Sequence, residues 1–313
     1  MKSFVVGGAG FIGSHLVDRL VERGPVTVYD DLSVGTRARL GDHLEEGRVT
    51  LVEASALELE PLAGAMHKHD VVFHLSANPE ARWGLDNTRL DLDQGTVVTY
   101  NVLEAMRRND VAKLVFSSSG TVYGDTRRTC REDDLGPLPI SLYGASKLAS
   151  EAMISAFVEC FGLRAWIFRF GNVIGPRATH GCALDFMRKL ASTKTELEVL
   201  GDGKQAKPYL HVRDCVDGML FGLDHASERV NILNLTPADV TAVSRIAKLC
   251  LAASPYPNAR IRYTGGDRGW PGDVPRSRMA PGKMAELGWT VEHTSDEAVA
   301  LAVTEIADEV FRT

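Results

Sequence analysis

Residues 7–13 read Gly-Gly-Ala-Gly-Phe-Ile-Gly; they follow an apolar run that ends at Val6 and precede apolar residues at helical spacing. A short strand, a glycine turn and a helix in this order are typical of the start of a βαβ unit. Gly7 and Gly10 would permit a tight turn and the close approach of a pyrophosphate, while Gly13 would let the helix pack against the strand. The GxxGxxG spacing therefore predicts a dinucleotide site at the start of this helix.

A second predicted strand, residues 26–29, ends in an acid that bears on the choice of cofactor. Asp30 follows the glycine turn at the distance typical of an acceptor for the adenosine ribose hydroxyls. Asp30 would repel a 2′-phosphate, and Asp31 adds a second negative charge. Arg37 and Arg39 could bind such a phosphate, but they lie beyond the strand and could equally belong to a solvated helix face. The sequence thus predicts NAD rather than NADP.

Strands and helices alternate through the first half of the chain. Further strands are predicted at 49–53, 70–75, 112–117 and 164–169, with helices near 86–108 and 141–161. This alternation predicts an α/β fold of the Rossmann type, with a doubly wound parallel sheet. The second half is less regular and richer in Pro and Gly. We therefore expect an NAD-binding domain over 1–165, joined by returning segments near 208–232, and a smaller substrate lobe made mainly of 166–313.

Composition narrows the classes of partner and compartment. The 313 residues carry a formal net charge of −6 without a basic stripe, so no nucleic-acid partner is expected. No apolar run is long enough to cross a membrane, and glycines break the first apolar stretch, unlike in a signal peptide. The five cysteines are scattered, odd in number and lack CxxC spacing. They predict reduced thiols in a cytoplasmic protein, with neither a metal site nor a disulfide framework.

A second pattern with chemical meaning is Tyr-Gly-Ala-Ser-Lys at 143–147. On a helix, positions i and i+4 share a face, so Lys147 would stand beside the phenol of Tyr143. A fixed cation favours the phenolate, and a positively charged nicotinamide would add to it, so we expect the pKa of Tyr143 to be lowered. Ser119 would place a hydroxyl near the same proton. The YxxxK pattern alone is common by chance. Its occurrence together with the glycine turn makes the catalytic interpretation more specific.

With these motifs in place, the chain resembles the extended short-chain dehydrogenase/reductase family, and within it the nucleotide-sugar epimerases of the UDP-glucose 4-epimerase kind. The similar segments follow the family's order: GGAGFIGSH at 7–15, VVFHLSA at 71–77, GTVVTYNVLEA at 95–105, LVFSSSGTVYG at 114–124, SLYGASKLASE at 141–151, FRFGNVIGPR at 168–177, LEVLGDGKQAKPYLHVRDCVDGM at 197–219 and RGWPGDVP at 268–275. The resemblance implies a UDP-sugar substrate and an NAD site lined by Gly7, Gly10, Phe11, Ile12, Gly13, Asp30, Asp31, Leu75, Ala77, Ser117, Tyr143 and Lys147.

The residues after Ser119 bear on the type of reaction. Family dehydratases carry an Asp-Glu pair at the positions of Gly120 and Thr121, and uronate decarboxylases usually carry a glutamate at the latter. Reductase-epimerases that act at neighbouring carbons tend to carry a cysteine in this segment. At these positions the present chain has neither the acids nor the cysteine. A hydroxyl, a tyrosine and a lysine can move a proton, but they provide no further acid for elimination.

The resemblance therefore favours NAD-dependent C4 epimerisation of UDP-glucose and UDP-galactose through a 4-keto intermediate. In this mechanism Tyr143 is the base, Ser119 bridges by a hydrogen bond and Lys147 holds the nicotinamide ribose. Thr121 would assist beside them, although packing explains a β-branched residue there equally well. Another nucleotide-sugar dehydratase, decarboxylase or reductase is the less favoured alternative. A non-catalytic NAD-binding regulator should have lost part of the Ser-Tyr-Lys set.

Four residues of the second half are implied as substrate contacts. Asn172 matches a residue that binds the nucleotide diphosphate, Lys207 and Arg268 carry the charge for its two phosphates, and Asp273 matches a contact to the ribose. Related enzymes often have arginine at the lysine position. Because lysine is a point charge rather than a bidentate fork, that contact would be looser.

Two departures concern the first half. Leu92 stands where many relatives have asparagine near the nicotinamide, and residues 79–83 replace the usual sugar-side segment. Arg82 in that segment would suit a C6 carboxylate, so a UDP-glucuronate/UDP-galacturonate 4-epimerase remains an alternative. A second arginine soon after Arg177, common in glucuronate epimerases, is missing.

The predicted helix from Tyr143 to Phe161 carries apolar residues around most of its circumference. One face against a sheet does not account for them. We expect a homodimer formed through this helix and the preceding one, as in related epimerases. Burial within one subunit is the alternative.

Overall fold

The computed structural model describes residues 1–134 and 136–312. The strands are β1 Ser3–Val6, β2 Val26–Asp30, β3 Val49–Glu53, β4 Val71–His74, β5 Lys113–Ser119, β6 Arg164–Phe170, β7 Asn172–Ile174, β8 Glu196–Val199, β9 Ala206–Lys207, β10 Tyr209–His211, β11 Val230–Leu235, β12 Thr241–Ala242 and β13 Arg260–Tyr263. The α-helices are α1 Phe11–Leu20, α2 Gly41–Glu45, α3 Leu59–Met66, α4 Trp83–Asp86, α5 Val98–Arg108, α6 Leu142–Phe161, α7 Cys182–Thr193, α8 Val212–His225, α9 Val243–Ala253, α10 Gly282–Glu286 and α11 Ser295–Phe311. Arg37–Leu40 and Gly120–Tyr123 are 3₁₀ helices, and Leu92–Val97 is a π-helix that runs into α5.

Seven strands form the central sheet, in the order β11-β6-β5-β4-β1-β2-β3. The pairs from β3 through β2, β1 and β4 to β5 are parallel. Every residue of β1, β2 and β4 is buried, as expected for strands covered by helices on both faces. The predicted α/β fold is confirmed. Strand order reverses at β1, which has β2 on one side and β4 on the other, and such a switch point is where parallel sheets bind ligands.

The chain forms two compact units. The first consists of Met1–Ser119, Leu142–Arg169 and Met219–Leu233, and the second of Gly120–Ser141, Phe170–Gly218 and Asn234–Thr313. The core of the first unit joins the central sheet to α3, α5 and α6. The core of the second unit joins α7, α9 and α11 to β8. The roles of these units in binding cofactor and substrate remain predictions.

Helix α6 buries polar residues in its first half and the apolar residues Ile154 and Val158 further along. Its buried residues include Ser146, Lys147, Ser150 and Glu151, whereas Phe161 at its end is 52% exposed. Tyr100 of α5, which is 45% exposed, and Phe161 of α6 therefore remain at the surface of the single subunit, and homodimerisation stays a prediction.

Two further observations concern the surface and the thiols. No helix in the described part of the chain is long and apolar enough to cross a membrane. Cys130, Cys160, Cys182, Cys215 and Cys250 are free thiols.

Candidate active site

The glycine turn after β1 is held by backbone contacts that leave no room for side chains. Gly7 adopts a φ of +82°, and a Cβ there would lie 2.7 Å from the amide nitrogen of Ser76, in the loop after β4. A Cβ at Gly13 would lie 2.2 Å from the carbonyl oxygen of Gly7. Gly13 therefore lets α1 lie over the turn itself rather than over the strand, which refines the sequence interpretation. At Gly10 a Cβ would have one described neighbour within 4 Å, the oxygen of Gly7 at 3.3 Å.

The first turn of α1 fits a pyrophosphate. Its N-cap is Gly10, which has no side chain to bond the free amides, and no acid lies in the first turn. The amide groups of Phe11, Ile12 and Gly13 are thus left to an external acceptor, and the helix dipole favours an anion there. Across the sheet, the amide of Leu75 donates to the carbonyl oxygen of Val6 over 2.9 Å. This bond fixes the loop of Leu75 and Ala77 beside the turn.

Asp30 ends β2 and is buried, with 8% of its surface exposed. One carboxylate oxygen accepts from the amide of Ala9 and the other from the amide of Leu32, both over 2.9 Å. Burial raises the pKa of Asp30, while these two hydrogen bonds lower it. Asp31 is exposed and accepts from the hydroxyl of Ser33 over 2.6 Å. Asp30 therefore stands at the carboxyl end of β2, next to the glycine turn, where the sequence predicted a ribose acceptor.

The two arginines that could have recognised a 2′-phosphate have other partners. Arg37 pairs with Glu53 over 3.4 Å, and Arg39 donates to the carbonyl oxygen of Ala9 over 3.3 Å. Both facts agree with an NAD site rather than an NADP site.

Three predicted catalytic residues meet within the first unit. Ser119 is the last residue of β5, and Tyr143 and Lys147 lie in the first turns of α6. The side chains of Ser119 and Tyr143 are hydrogen-bonded. Lys147 is 2% exposed; its Nζ donates to the carbonyl oxygen of Ser117 over 2.7 Å and lies 5.8 Å from the centroid of the Tyr143 ring.

The protonation equilibria differ from the sequence expectation. Burial, followed by the charge of Asp91, raises the pKa of Tyr143 to about 12, although the hydrogen bond from Ser119 opposes this. Burial lowers the pKa of Lys147 to about 8, against the opposing charges of Glu151 and Asp91. The predicted lowering of the tyrosine pKa was thus wrong for the chain by itself. Lys147 bonds the backbone of β5 rather than the phenol oxygen, and burial acts against the phenolate.

Behind the lysine lies a buried ion pair that sequence analysis missed. Arg169 on β6 pairs with Glu151 on α6 over 2.7 Å, and the side chains are 9% and 5% exposed. The hydroxyl of Ser118 donates to the same carboxylate over 2.5 Å. These contacts tie α6 to the strand that carries Ser117 and Ser119. The i+4 spacing of Glu151 from Lys147 was the available signal.

A second missed acid is Asp91, which is 1% exposed and precedes the π-helix. Its Oδ1 accepts from Nδ2 of Asn78 over 3.0 Å. No signal in the sequence distinguished it from half-buried Asp93, because the face of a helix that is buried depends on the partner helix.

Thr121 lies on the 3₁₀ helix Gly120–Tyr123 of the second unit. At neighbouring Gly120, a Cβ would lie 2.4 Å from Sδ of Met279 and 3.3 Å from the carbonyl oxygen of Phe170. A carboxylate at position 120 would therefore require Met279 to move. The packing agrees with the lack of the acids that dehydratases carry here.

The predicted substrate residues of the second unit already have protein partners. Lys207 pairs with Asp273 over 2.6 Å, and the other carboxylate oxygen of Asp273 accepts from the amide of Gly269 over 3.1 Å. Arg268 pairs with Asp125 over 2.7 Å. Asn172 begins β7, which pairs with β10. The side chain of Asn172 bonds the buried hydroxyl of Tyr209 on β10. The structure thus joins Lys207 directly to Asp273 and, through Gly269, to the segment that follows Arg268.

Arg82 also has a carboxylate partner. Its Nη2 donates to Oε2 of Glu80 over 2.7 Å, and its amide donates to Oε1 of the same residue. A substrate carboxylate would have to compete with Glu80. Leu92, at the position that departs from the family pattern, is 48% exposed.

Comparison with known proteins bears on the class of this site. The model of the NAD dependent epimerase/dehydratase family matches residues 3–235. The chain belongs to this family. It is 33% identical over 314 residues to UDP-glucose 4-epimerase of Mycolicibacterium smegmatis, covering 97% of each chain. The crystal structure of a UDP-galactose 4-epimerase superposes with a TM-score of 0.89 at 37% identity, covering 99% of this chain and 100% of that chain.

A further solved relative was determined with the cofactor. UDP-glucose 4-epimerase of Thermus thermophilus, solved in complex with NAD, superposes with a TM-score of 0.86 at 29% identity, covering 98% of this chain and 99% of that one. The family assignment confirms the predicted resemblance, and NAD is confirmed as the cofactor. The protein is therefore an NAD-dependent enzyme of the nucleotide-sugar epimerase/dehydratase family.

Proposed function

We propose that this protein interconverts UDP-glucose and UDP-galactose by epimerisation at C4 through a 4-keto intermediate. The single observation that carries the proposal is the Ser119–Tyr143 hydrogen bond next to buried Lys147, with no acid at Gly120 or Thr121. Such a set can take a proton from a sugar hydroxyl and return it, but it offers no further acid to expel water. The UDP-glucose and UDP-galactose 4-epimerases named above support the same reaction.

In the proposed mechanism the phenolate of Tyr143 removes the proton of the C4 hydroxyl, and the hydroxyl of Ser119 bridges the two oxygens. Lys147 supplies a positive charge next to the phenol, which favours the phenolate. NAD, when bound through the glycine turn and Asp30, supplies reversible acceptance of the C4 hydrogen with its electron pair. The flat 4-keto sugar exposes both faces, and Tyr143 returns the proton to the C4 oxygen. Product and substrate thus differ only in configuration.

We assign the UDP portion to the second unit. Lys207 and Arg268 offer positive charge for the diphosphate, and Asn172 offers an amide. Asp273 and Asp125 hold these cations in place within the unit. A diphosphate would take over part of those contacts, with Asp273 then available to the uridine ribose.

A neutral sugar at C6 is favoured over a uronate. Glu80 occupies both the guanidinium and the amide of Arg82, and it would repel a substrate carboxylate. The uronate alternative depended on Arg82 being available to a carboxylate.

We also propose a homodimer formed by the exposed apolar side chains of α5 and α6. Tyr100 and Phe161 are 45% and 52% exposed, and Phe157 lies within aromatic contact distance of both. Five free thiols favour a reducing compartment, which agrees with the predicted cytoplasmic location.

The decisive experiment is incubation of the purified protein with UDP-glucose, UDP-galactose, UDP-glucuronate and UDP-galacturonate, each followed by NMR of the products. We expect interconversion of the first two without added NAD, and stoichiometric NAD retained through gel filtration. Turnover that requires added NAD and accumulates NADH would identify a net dehydrogenase instead. Interconversion of UDP-glucuronate and UDP-galacturonate alone would identify the protein as a uronate 4-epimerase.

A further inference from the structure

Asp91 is a buried acid that the proposed mechanism does not use. It is 1% exposed, and Oδ1 accepts from Asn78, whereas Oδ2 is buried without a hydrogen-bond partner among the described residues. A Cβ at Gly84 would lie 2.4 Å from that free oxygen and 3.7 Å from Cβ of Leu142. The free oxygen therefore lies against Gly84, whose side-chain position also neighbours Leu142 at the beginning of α6, the helix that carries Tyr143 and Lys147. A buried carboxylate oxygen without a partner is unfavourable for folding, so its presence needs a reason.

The π-helix brings this acid close to α6. A Cβ at Gly95 would lie 2.5 Å from Oγ of Ser146, so the backbones of the π-helix and α6 are in close contact. Ser150 donates to the carbonyl oxygen of the same glycine over 3.4 Å. Asp91, one helical turn before Gly95, is carried against the same part of α6.

The charged groups around Asp91 come from several elements. On α6 these are Tyr143 and Lys147, and Glu151 lies one turn further on. Asn78 donates both to Asp91 and to the carbonyl oxygen of Glu80, each over 3.0 Å, so the Glu80–Arg82 ion pair is linked to the acid. Burial, and to a smaller extent the charge of Lys147, lowers the pKa of His74 at the end of β4 to about 3, so this side chain is neutral. On its own segment, Asp93 pairs with Arg89 over 2.9 Å.

We propose that Asp91 is a positioning residue that sets the proton equilibrium of the Tyr143–Lys147 pair and, through Asn78, couples it to the loop of Glu80 and Arg82. This deepens the proposed function, because it rests on Tyr143 acting as the base. Together with Glu151, whose charge has the larger effect, the carboxylate helps to keep the proton on Lys147 despite burial. The same charge holds back the phenolate of Tyr143, so that a cation close to the phenol is needed to form it.

The proposal makes a prediction that a structural role alone does not. The negative charge of Asp91 raises the pKa of Tyr143 and that of Lys147. Removing the charge should therefore lower both values together. The two limbs of the pH profile report the ionisations of Tyr143 and Lys147. Both limbs should therefore move to lower pH, and the whole bell-shaped dependence of kcat/KM on pH should be displaced.

The test is the pH dependence of kcat/KM for the NAD-loaded enzyme carrying Asp91→Asn, an uncharged replacement of similar shape. We expect both limbs to shift down by roughly one pH unit, the scale of a nearby charge. The matched control is Asp93→Asn, two residues along the same helix, where the acid pairs with Arg89 and no shift is expected. A lower maximum with limbs at the wild-type positions would overturn the proposal.

A second variant and a direct titration keep the test independent of folding and of the proposed reaction. Asp91→Ser also removes the charge and should displace the limbs equally. The absorbance of phenolate, taken as the difference between each protein and its Tyr143→Phe partner, reports the ionisation of Tyr143 without any substrate. It should develop at lower pH in Asp91→Asn. If Tyr143 titrates at the same pH in Asp91→Asn as in the wild type, Asp91 does not have the proposed role. A shifted titration without epimerase activity would instead contradict the proposed function alone.

Discussion

The ammonium of Lys147 lies 2.7 Å from the carbonyl oxygen of Ser117, so the lysine is anchored to the strand that carries Ser119 rather than to the phenol of Tyr143. The anchor joins β5 to α6 and holds the positive charge under the ring of the tyrosine. In the proposed mechanism Lys147 therefore acts through its charge and not through a direct contact with the phenol.

The first prediction concerns the base. Tyr143→Phe keeps the ring but removes the hydroxyl, and we expect turnover to fall by about 10²–10⁴-fold, the usual contribution of a positioned proton-transfer group. Bound NAD should be retained, as measured by its absorbance after gel filtration. Tyr256→Phe, in the second unit, is the control and should leave turnover unchanged. Activity above about a tenth of wild type in Tyr143→Phe would rule out this residue as the base.

The second prediction is the alkaline fall of activity. Burial lowers the pKa of Lys147 to about 8, below its ordinary value of 10.5, so the ammonium is lost as the pH rises through about 8. In the NAD-loaded enzyme, where the positively charged nicotinamide favours the phenolate of Tyr143, we expect kcat/KM to decrease above that pH. Lys147→Arg keeps its charge beyond pH 12, so its remaining activity should show no such fall. The same fall in the arginine variant would assign the limb to another group.

The third prediction concerns the glycine turn. Gly13→Ala places a Cβ 2.2 Å from the carbonyl oxygen of Gly7, and the backbone has to shift. We expect a decrease in the free energy of unfolding of about 1–3 kcal/mol and loss of retained NAD. Gly64→Ala, in α3 with nothing within 4 Å, is the matched control. It should keep NAD and gain up to about 1 kcal/mol. Equal NAD content in both variants would show that the turn does not hold the cofactor.

The fourth prediction concerns the ion pair between Arg268 and Asp125. Asp125→Asn removes the carboxylate that competes with a diphosphate for the arginine, so UDP should bind more tightly. The pair is partly exposed, and such pairs are worth about 0.2–1 kcal/mol, which corresponds to roughly one- to fivefold in Kd. Calorimetric titration with UDP measures the change. Asp133→Asn, whose acid pairs with Lys283, is the control, and equal values for the two variants would exclude a role of Arg268 in binding UDP.

The fifth prediction tests C6 specificity. Since Glu80 already occupies Arg82, Arg82→Ala should change kcat/KM for UDP-glucose and UDP-glucuronate by similar factors. A carboxylate-binding arginine would instead cost about ten- to a hundredfold with UDP-glucuronate alone, from a charge-assisted contact of roughly 1.5–3 kcal/mol. Arg89→Ala, which removes an exposed arginine paired with Asp93, controls for general effects of charge removal.

The sequence was sufficient for the parts of the fold that depend on local pattern. Buried parallel strands form continuous apolar runs, and the glycine turn marks the first strand–helix junction, so β1, α1 and the acid at the end of β2 could be predicted. The segment near 86–108 was predicted as one helix. It begins where α4 ends and contains a π-helix that runs into α5. The π-helix packs Gly95 against Ser146, a tertiary contact that no local periodicity reveals.

The candidate site was predicted in its residue types but not in its electrostatics. The YxxxK spacing placed Lys147 on the correct face of α6, because helix geometry alone fixes that relation. The pKa of Tyr143 depends on burial and on Asp91, which comes from a distant part of the chain. Likewise, the spacing of Lys207 and Arg268 in sequence gave no indication that Asp273 and Asp125 pair with them.

The two hydrogen bonds of Asp30 have a consequence for engineering a change of cofactor. The carboxylate proposed to select NAD also accepts from the amide of Ala9 in the glycine turn and from that of Leu32 after β2. Replacing it by a small or basic residue to admit a 2′-phosphate would leave both amides without their acceptor and loosen the turn that receives the pyrophosphate. Selectivity and affinity for the dinucleotide are therefore coupled through one side chain. A redesign for NADP has to restore the support of the turn at the same time as it removes the charge.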